Sequence, residues 1–275
     1  MFKSIAFGGG GVRGALHVGA LAAIQKVQGH LQFPNGIYGS SIGSIIATAV
    51  AFNLSVEQLR SMLHTHFHLN NFLTPLKLAH LQSFPNKKGL FDTSTITKTL
   101  VESFRDYGID LTDKTIGDAP QKLFILATDL TNTKATLLTG KIPVLQAIQA
   151  SCAIPLVFQP VSIYGHLYVD GSLRSHYMHS IVPKDCLILH INYPLTTVTP
   201  ENIDDMSLND YMMALYETSR RTTVTSNTLW LKNNSVSILQ DIQPEHKNLM
   251  FEEGYVQTLE FLTKRAAEER EESIS

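Results

Sequence analysis

A Gly-x-Ser-x-Gly pentapeptide at residues 39–43 constrains this sequence more than any other feature. It lies between a short apolar run and a stretch of small and apolar residues with helical character. In a nucleophile elbow, a serine occupies a sharp strand-to-helix turn, and glycines two residues before and after it leave room where a Cβ would clash. Gly39 and Gly43 occupy those places around Ser41. The pattern predicts an exposed serine hydroxyl near helix amides that stabilise negative charge.

The pentapeptide alone does not decide the function, because glycine and serine also make ordinary turns. The composition, 44% apolar and 17% charged over 275 residues, is typical of a globular protein with a sizeable core. The formal net charge of −2 lacks the basic excess found in nucleic-acid-binding proteins. The sequence has no internal repeat and no evident linker, so we predict one α/β domain over residues 1–275 that binds no nucleic acid.

The cysteines and the apolar runs bear on the cellular location. Cys152 and Cys186 lie in apolar surroundings, which predicts buried free thiols and a reducing compartment. No run reaches the ~18 consecutive apolar residues of a membrane span. Four consecutive glycines at residues 8–11 argue against an N-terminal signal peptide. We therefore expect a cytoplasmic or peripherally membrane-associated protein.

A glycine-rich loop at residues 8–14 is the second motif. An apolar run at residues 4–7 predicts a strand before it, and apolar residues at helical spacing follow it, at Leu16, Ala20, Ala23, Ile24 and Val27. Such a loop presents bare backbone N–H groups next to a helix N-terminus. The unit is therefore an anion site by construction.

Three interpretations compete for this loop. Gly9, Gly11 and Gly14 match a dinucleotide fingerprint, but that motif needs an acid ~20 residues further on, and the first acid in the chain is Glu57. A nucleotide phosphate loop would end in Gly-Lys-Ser or Gly-Lys-Thr, and residues 14–16 read Gly-Ala-Leu. An oxyanion hole for Ser41 is the interpretation that uses both motifs.

The remaining sequence predicts alternating helices and strands. Ser55, with Gln58 three residues later, forms a capping box that opens a helix over residues 56–63. Residues 70–86 carry two prolines and few charges, so we expect an irregular segment, either a flap over an apolar site or a connection packed on the core. Apolar patterns predict helices at residues 93–104, 143–150, 208–231 and 252–275, and strands at 123–128, 187–192 and 236–239.

Two further groups of residues are candidates for a site. Residues two apart on a helix do not share a face, so we expect His64, His66 and His68 to be solvated or partly buried rather than metal ligands. Asp129 and Asp170 each follow an apolar run, and an acid at a strand end of an α/β protein lies where ligands bind. Asp-Gly dipeptides also make ordinary turns.

Taken in order, the glycine loop, the serine elbow and Asp170-Gly171 resemble the motifs of the patatin-like phospholipase family. Residues 150–161 resemble its Ala-Ser-x-Ala-x-Pro-x-x-Phe-x-Pro segment, and residues 89–92, Gly-Leu-Phe-Asp, resemble the usual entry to its middle helix. The resemblance covers residues 4–185, and we expect residues 186–275 to complete the same domain.

The resemblance implies a three-layer α/β/α sandwich around a mainly parallel sheet. It implies a lipid acyl hydrolase that contacts membrane or micellar phospholipid peripherally and needs no metal or other cofactor. By motif, Ser41 corresponds to the nucleophile and Asp170 to the general base. The backbone amides of Gly9, Gly10 and Gly11 correspond to the oxyanion hole, with motif support from Arg13, Gly14, Gly39, Gly43 and Gly171.

The sequence departs from the family pattern after the aspartate. Ser172, His176 and Met178 stand where members commonly have glycine or alanine, asparagine and proline, and Gly8 stands where many have aspartate. These changes leave open a lipid-binding or regulatory protein with little turnover. A nucleotide-binding protein is a third hypothesis. A catalytic histidine, such as His17 or His166, is a further alternative to the Ser–Asp pair.

Overall fold

The computed structural model describes residues 2–192, 198–206, 225–233 and 242–274, together with Tyr211, Ala214, Leu215 and Thr218. Its strands are β1 (Ser4–Phe7), β2 (Gly36–Ser40), β3 (Gly89–Phe91), β4 (Leu123–Asp129), β5 (Lys134–Leu138), β6 (Leu156–Phe158), β7 (Val161–Ile163), β8 (His166–Val169), β9 (Leu187–Asn192) and β10 (Thr228–Lys232).

The α-helices of the described residues alternate with these strands along most of their length, as in other α/β proteins. They are α1 (Ala15–Gln28), α2 (Ile42–Ala51), α3 (Val56–His66), α4 (Leu69–Phe72), α5 (Leu78–Lys87), α6 (Ser94–Arg105), α7 (Val144–Cys152), α8 (Met178–Ile181) and α9 (Pro244–Ile274). Short 3₁₀ turns cover Gly11–Gly14, Ile116–Asp118 and Gly171–Tyr177.

An eight-stranded sheet forms the centre, in the order β10-β9-β1-β2-β4-β8-β7, with β5 paired to β4. Strands β10, β9, β1, β2 and β4 are parallel, whereas β5 and β8 pair antiparallel with β4 and β7 pairs antiparallel with β8. Strands β3 and β6 form a separate parallel pair. A largely parallel sheet needs cover on both faces, which explains the continuous burial of its central strands.

The two faces of the sheet pack against different elements. The larger hydrophobic core joins one face to apolar residues of α1, α2, α3, α6 and α7, while a smaller cluster on the other face joins Tyr38, Leu126 and Ile188 to Met178 of α8. Helix α9 lies against α1, where a Cβ at Gly19 or Gly254 would collide with backbone of the other helix. The predicted three-layer α/β/α fold is confirmed.

Strands β2 and β8 meet end to end along one edge of β4. Strand β2 pairs as far as Ser40 with Leu126, and β8, running the opposite way, pairs its last residue Val169 with Thr128. Strand β5 occupies the other edge of β4, from Ile125 to Asp129. The residues that follow β2 and β8 therefore arrive at one place, although they lie far apart in sequence.

Two predicted elements differ from the structure. The irregular segment predicted over residues 70–86 is wrong, because α4 and α5 occupy most of it. Pro85 falls in the last turn of α5, where the helix is about to end at Lys88 in the left-handed conformation. The long C-terminal helix begins at Pro244 rather than at residue 252.

The helix predicted over residues 208–231 is wrong at its end, where Thr228–Lys232 forms strand β10. This strand pairs in register with β9 and buries Leu231, so tertiary pairing outweighs the helical pattern. Tyr211, Ala214, Leu215 and Thr218 are helical. The other residues from 207 to 224, and the strand predicted at 236–239, lie outside the described residues. Among the described residues, none of the helices combines the length and the hydropathy that a membrane span requires.

Candidate active site

Ser41 lies at the predicted turn between β2 and α2, with φ 53° and ψ −130°. This left-handed region is unfavourable for a residue with a side chain, and such strain is typical of functional sites. A Cβ at Gly39 would collide with the carbonyl oxygen of Gly43, and one at Gly43 would collide with that of Phe7. The two glycines are therefore required for the turn. The sequence predicted an exposed hydroxyl, but Ser41 is only 7% exposed and lines a pocket instead of facing bulk water.

Asp170 follows β8 and reaches Ser41 because β2 and β8 meet on β4. The Ser41 hydroxyl donates a hydrogen bond of 2.7 Å to Oδ2 of Asp170, and the Ser172 amide donates one of 2.7 Å to Oδ1. The Thr128 hydroxyl donates to the Asp170 carbonyl oxygen at 2.9 Å. Ser172, which departs from the family pattern, thus holds the carboxylate through its backbone amide, and its side chain hydrogen-bonds Asp170 as well.

Burial tunes the Asp170 carboxyl. The residue is 3% exposed, and desolvation raises its pKa to about 6, against hydrogen bonds from Ser172 and Ser41 that favour the ionised form. The carboxylate therefore predominates at pH 7 and is a stronger base than an exposed aspartate.

The backbone amide of Ser41 is held from behind by Ser151 of α7. The Ser151 hydroxyl accepts from the Ser41 amide at 2.9 Å and donates to the Leu126 carbonyl at 2.6 Å. The Ser44 hydroxyl donates to the Ser41 carbonyl at 2.6 Å. Sequence reasoning missed Ser151, although it lies in the Ala-Ser-x-Ala segment. Because the Ser41 amide is already engaged, donors for an oxyanion must come from elsewhere.

The glycine loop packs directly on Ser41. A Cβ at Gly9 would lie 3.2 Å from the Ser41 Cβ and would collide with the Ser172 hydroxyl, and one at Gly10 would collide with Ile191. Among the described turn and loop contacts, no backbone carbonyl accepts a hydrogen bond from the amides of Gly9, Gly10 or Gly11.

Residues around the loop fix its position. Gly14 packs on Ile42, where an added Cβ would lie 2.7 Å from Cγ1, and the buried Arg13 guanidinium donates to the Asn192 carbonyl at the end of β9. An added Cβ at Gly171 would collide with the Leu126 carbonyl.

The two histidines considered as catalytic alternatives lie in other environments. His17 is fully buried behind the glycine loop, its Nε2 is 2.9 Å from the Gly8 carbonyl oxygen, and desolvation lowers its pKa to about 4. His166 hydrogen-bonds Asn132 and lies 3.5 Å from Asp129. Neither histidine is hydrogen-bonded to Ser41 or Asp170.

The histidines at residues 64–68 make local contacts, and the two cysteines are free thiols. His66 pairs with Asp106 at 2.7 Å, and His68 is 2.9 Å from the His64 carbonyl oxygen. Across the described part of the chain, no group of three or more His, Cys, Asp or Glu side chains is arranged to hold a metal. Cys152 and Cys186 are free and buried, as predicted.

An apolar pocket opens beside the Ser41 hydroxyl. It encloses about 790 Å³, counting the space at its open mouth. Its walls come mainly from the glycine loop with the start of α1, from α2 and from residues 63–73, and their apolar side chains include Val12, Ile42, Ile45, Leu63, Phe67, Phe72, Leu73, Ile96 and Phe158. Such a surface suits a hydrocarbon chain, because it offers burial and few polar partners.

The protein is an α/β protein with a mainly parallel sheet. The sheet places a serine elbow, a buried aspartate and a glycine loop around one apolar pocket. Residues 5–179 match the patatin-like phospholipase family, and the chain belongs to that family. The resemblance noted from the sequence is confirmed.

Individual relatives match the chain at low identity. The chain is 26% identical over 197 residues to YqhO of Bacillus subtilis, covering 64% of this chain and 65% of YqhO. It is 26% identical over 193 residues to the probable lipid hydrolase 463L of Invertebrate iridescent virus 6, covering 66% of this chain and 64% of 463L. The matches thus span just under two thirds of these relatives. The structure of VipD from Legionella pneumophila superposes with a TM-score of 0.55 at 15% identity, covering 96% of this chain and 67% of VipD, which shows a shared fold.

Proposed function

We propose that the protein is a lipid acyl hydrolase of phospholipase A type that cleaves fatty-acyl esters of phospholipids. The observation that carries this proposal is the 2.7 Å hydrogen bond from the Ser41 hydroxyl to the buried Asp170 carboxylate, at the wall of an apolar pocket. Family membership and the similarity to a probable lipid hydrolase support the same reaction class.

Acylation begins when Asp170 accepts the Ser41 proton. The Ser41 oxygen then attacks the ester carbonyl carbon, and the resulting oxyanion is stabilised by the amides of Gly9, Gly10 and Gly11. When the tetrahedral intermediate collapses, the carbon–oxygen bond to the leaving alcohol breaks and protonated Asp170 returns the proton to that alcohol. The acyl group remains esterified to Ser41.

Deacylation repeats these steps with water. Asp170 takes a proton from the water molecule, the hydroxide attacks the Ser41 ester, and the same amides stabilise the second oxyanion. Collapse releases the fatty acid and returns the proton to Ser41. Each oxyanion donor contributes about 10²–10³ in rate in well-studied hydrolases.

The test is hydrolysis of a soluble short-chain ester and of phospholipid vesicles by wild type, Ser41→Ala and Asp170→Asn. Asp129→Asn is the matched control, because Asp129 is equally buried at the end of β4 but bonds Asn132 instead of Ser41. We expect both site variants to lose activity by several orders of magnitude and the control to retain it. Unchanged turnover in either site variant removes that residue from the mechanism.

The alternative is a lipid-binding or regulatory protein with little turnover. It predicts that a fluorophosphonate probe leaves Ser41 unlabelled in the folded protein, whereas a hydrolase predicts stoichiometric labelling that is lost in Ser41→Ala. The strained elbow and the hydrogen-bonded Asp170 favour labelling.

A further inference from the structure

We propose that residues 74–88, the loop and helix α5 here called the α5 surface, dock the protein on anionic lipid surfaces. The proposal rests on the proposed function, since it names the physical state of the substrate that this site would meet. It follows from three features: apolar side chains that the fold leaves uncovered, a charge of one sign, and attachment to the wall of the pocket.

Helix α5 contributes nothing to the core. None of its ten residues is buried, and Leu76, Leu78 and Leu81 are 55%, 70% and 51% exposed. Leu78 and Leu81 are three residues apart, so they lie on the same side of the helix. Single exposed leucines are ordinary on protein surfaces, but three within six residues on an uncovered element form a patch of the kind that contacts a partner.

The charged side chains of residues 74–88 all have one sign, and the exposed Asp92 just beyond them lies near Lys87 and His80. Residues 58–91 contain no aspartate or glutamate, although the whole chain carries 24 acids and a net charge of −2. Lys77, Lys87 and Lys88 are all exposed on the α5 surface. Lysines flanking exposed leucines are typical of segments that lie in the interface of an anionic bilayer, where the leucines enter the acyl boundary and the lysines remain at the headgroups.

The α5 surface is attached to the pocket that reaches Ser41. Phe72 and Leu73, which immediately precede it, line this pocket. Helix α6 holds the preceding turn in place, because the Thr95 hydroxyl donates to the Phe72 carbonyl at 2.6 Å and the Thr99 hydroxyl to the Asn71 carbonyl at 2.8 Å.

The far end of the α5 surface is also fixed to the site. It leads into β3, where Gly89 pairs with the 47% exposed Leu156 of β6, and β6 ends at Phe158 in the pocket wall. Docking through α5 therefore brings the pocket next to the lipid surface, so that an acyl chain passes from the aggregate to Ser41 with little exposure to water.

Binding is measured by vesicle sedimentation in a Ser41→Ala background, so that no lipid is hydrolysed. The two probes are vesicles of phosphatidylcholine alone and vesicles that also contain phosphatidylglycerol. The variants are Leu78→Ser/Leu81→Ser and Lys77→Ser/Lys87→Ser/Lys88→Ser. Matched controls are Leu249→Ser/Val256→Ser and Lys98→Ser/Lys141→Ser/Lys264→Ser, whose side chains are exposed elsewhere.

We expect the parent protein to prefer the anionic vesicles. The triple lysine variant should bind them roughly a hundredfold more weakly, with the difference shrinking at high salt. The double leucine variant should bind both kinds of vesicle more weakly, and the two controls should bind as the parent does. Equal binding by parent and α5 variants overturns the proposal, as does a protein partner whose binding depends on α5 while vesicle binding does not.

Soluble-ester hydrolysis by the α5 variants with Ser41 intact, and by Ser41→Ala itself, separates this proposal from the catalytic one. If the α5 variants keep soluble-ester turnover but vesicle binding does not depend on α5, the docking proposal alone is wrong. If vesicle binding depends on α5 but Ser41→Ala still hydrolyses the soluble ester, the catalytic assignment is wrong and the docking surface stands.

Discussion

In the proposed mechanism Asp170 takes a proton from Ser41 and must be ionised to do so, and its pKa of about 6 places this requirement just below neutral pH. We predict that kcat/KM for a soluble ester falls about tenfold per pH unit below pH ~6 and is level above it, because kcat/KM reports the ionisation of the free enzyme. Initial rates at low substrate concentration measure this. A rate that is flat between about pH 5 and 7 would contradict a base with the environment of Asp170.

His17 contacts the carbonyl of the peptide unit whose N–H belongs to Gly9, one of the proposed oxyanion donors. A neutral imidazole with its proton on Nε2 donates to the Gly8 carbonyl, which belongs to the same planar trans peptide unit as the Gly9 amide. Holding the carbonyl therefore fixes the direction of that N–H. The lowered pKa keeps the buried ring neutral at pH 7.

This geometry gives a prediction for His17. We expect His17→Phe to lower kcat by a factor of about 10–10². This is less than the loss for removing an oxyanion donor, because the Gly9 N–H is misdirected but still present. His17→Gln is the conservative comparison, because its amide nitrogen can donate to the Gly8 carbonyl, and it should recover much of the rate with little change in KM. Equal kcat for wild type and His17→Phe would show that the loop is held without this contact.

Strand β4 is the element that assembles the site. It pairs with β2 up to Leu126 and with β8 from Thr128. Its Leu126 carbonyl accepts from Ser151, which in turn bonds the Ser41 amide, and its Thr128 hydroxyl donates directly to the Asp170 carbonyl. Ser41 and Asp170 are 129 positions apart in sequence, and the sheet brings the Ser41 Oγ to 2.7 Å from the Asp170 Oδ2.

The junction between β4 and β8 depends on a glycine. We predict that Gly171→Ala loses at least about 1–3 kcal/mol of stability, because its Cβ would collide with the Leu126 carbonyl of the β4 backbone. Gly117→Ala is the matched control, since its Cβ would meet only the Gly140 carbonyl at 3.3 Å and its backbone suits alanine. Urea unfolding of both variants measures the difference. Similar losses in the two variants would contradict this account of the junction.

Local patterns in the sequence predict much of the fold and indicate the candidate residues. Spacing of apolar residues identifies β1, α1, α6 and β9, and glycine spacing identifies the Ser41 turn, because these signals depend on neighbours in the chain. The partnership of Ser151 with Ser41 depends on segments 110 positions apart, which no local pattern encodes. Strand β10 and helix α5 were missed for related reasons: one is set by pairing with β9, and the other buries no residue that would mark its periodicity.

The whole molecule carries two buried groups whose titrations oppose each other. The folded state raises the pKa of Asp170, so the stabilisation from its protonated form is complete below about pH 3.8. As the pH rises to about 6 this stabilisation is lost, and the free energy of unfolding falls by about 3 kcal/mol in all. His17 has a lowered folded pKa, so the unfolded chain binds its proton first, and stability falls by a similar amount as pH drops from about 6.5 to about 4. Over most of this range the two effects oppose each other.

We therefore predict that Asp170→Asn is more sensitive to acid than wild type. Removing the carboxyl leaves the His17 effect unopposed, so the free energy of unfolding of the variant relative to wild type should increase by about 3 kcal/mol between pH 4 and pH 6. Urea unfolding at several pH values measures it. A constant difference across this range would show that the folded state does not raise the Asp170 pKa.

The most direct test of the central claim is to identify the residue that becomes acylated. Rapid acid quench during turnover of an activated soluble ester, followed by peptide mass mapping, locates the acyl group. We predict the added acyl mass on Ser41 in wild type, a much slower appearance in Asp170→Asn, and none in Ser41→Ala. Acylation of a different side chain, or continued hydrolysis by Ser41→Ala, would contradict a mechanism built on Ser41 and Asp170.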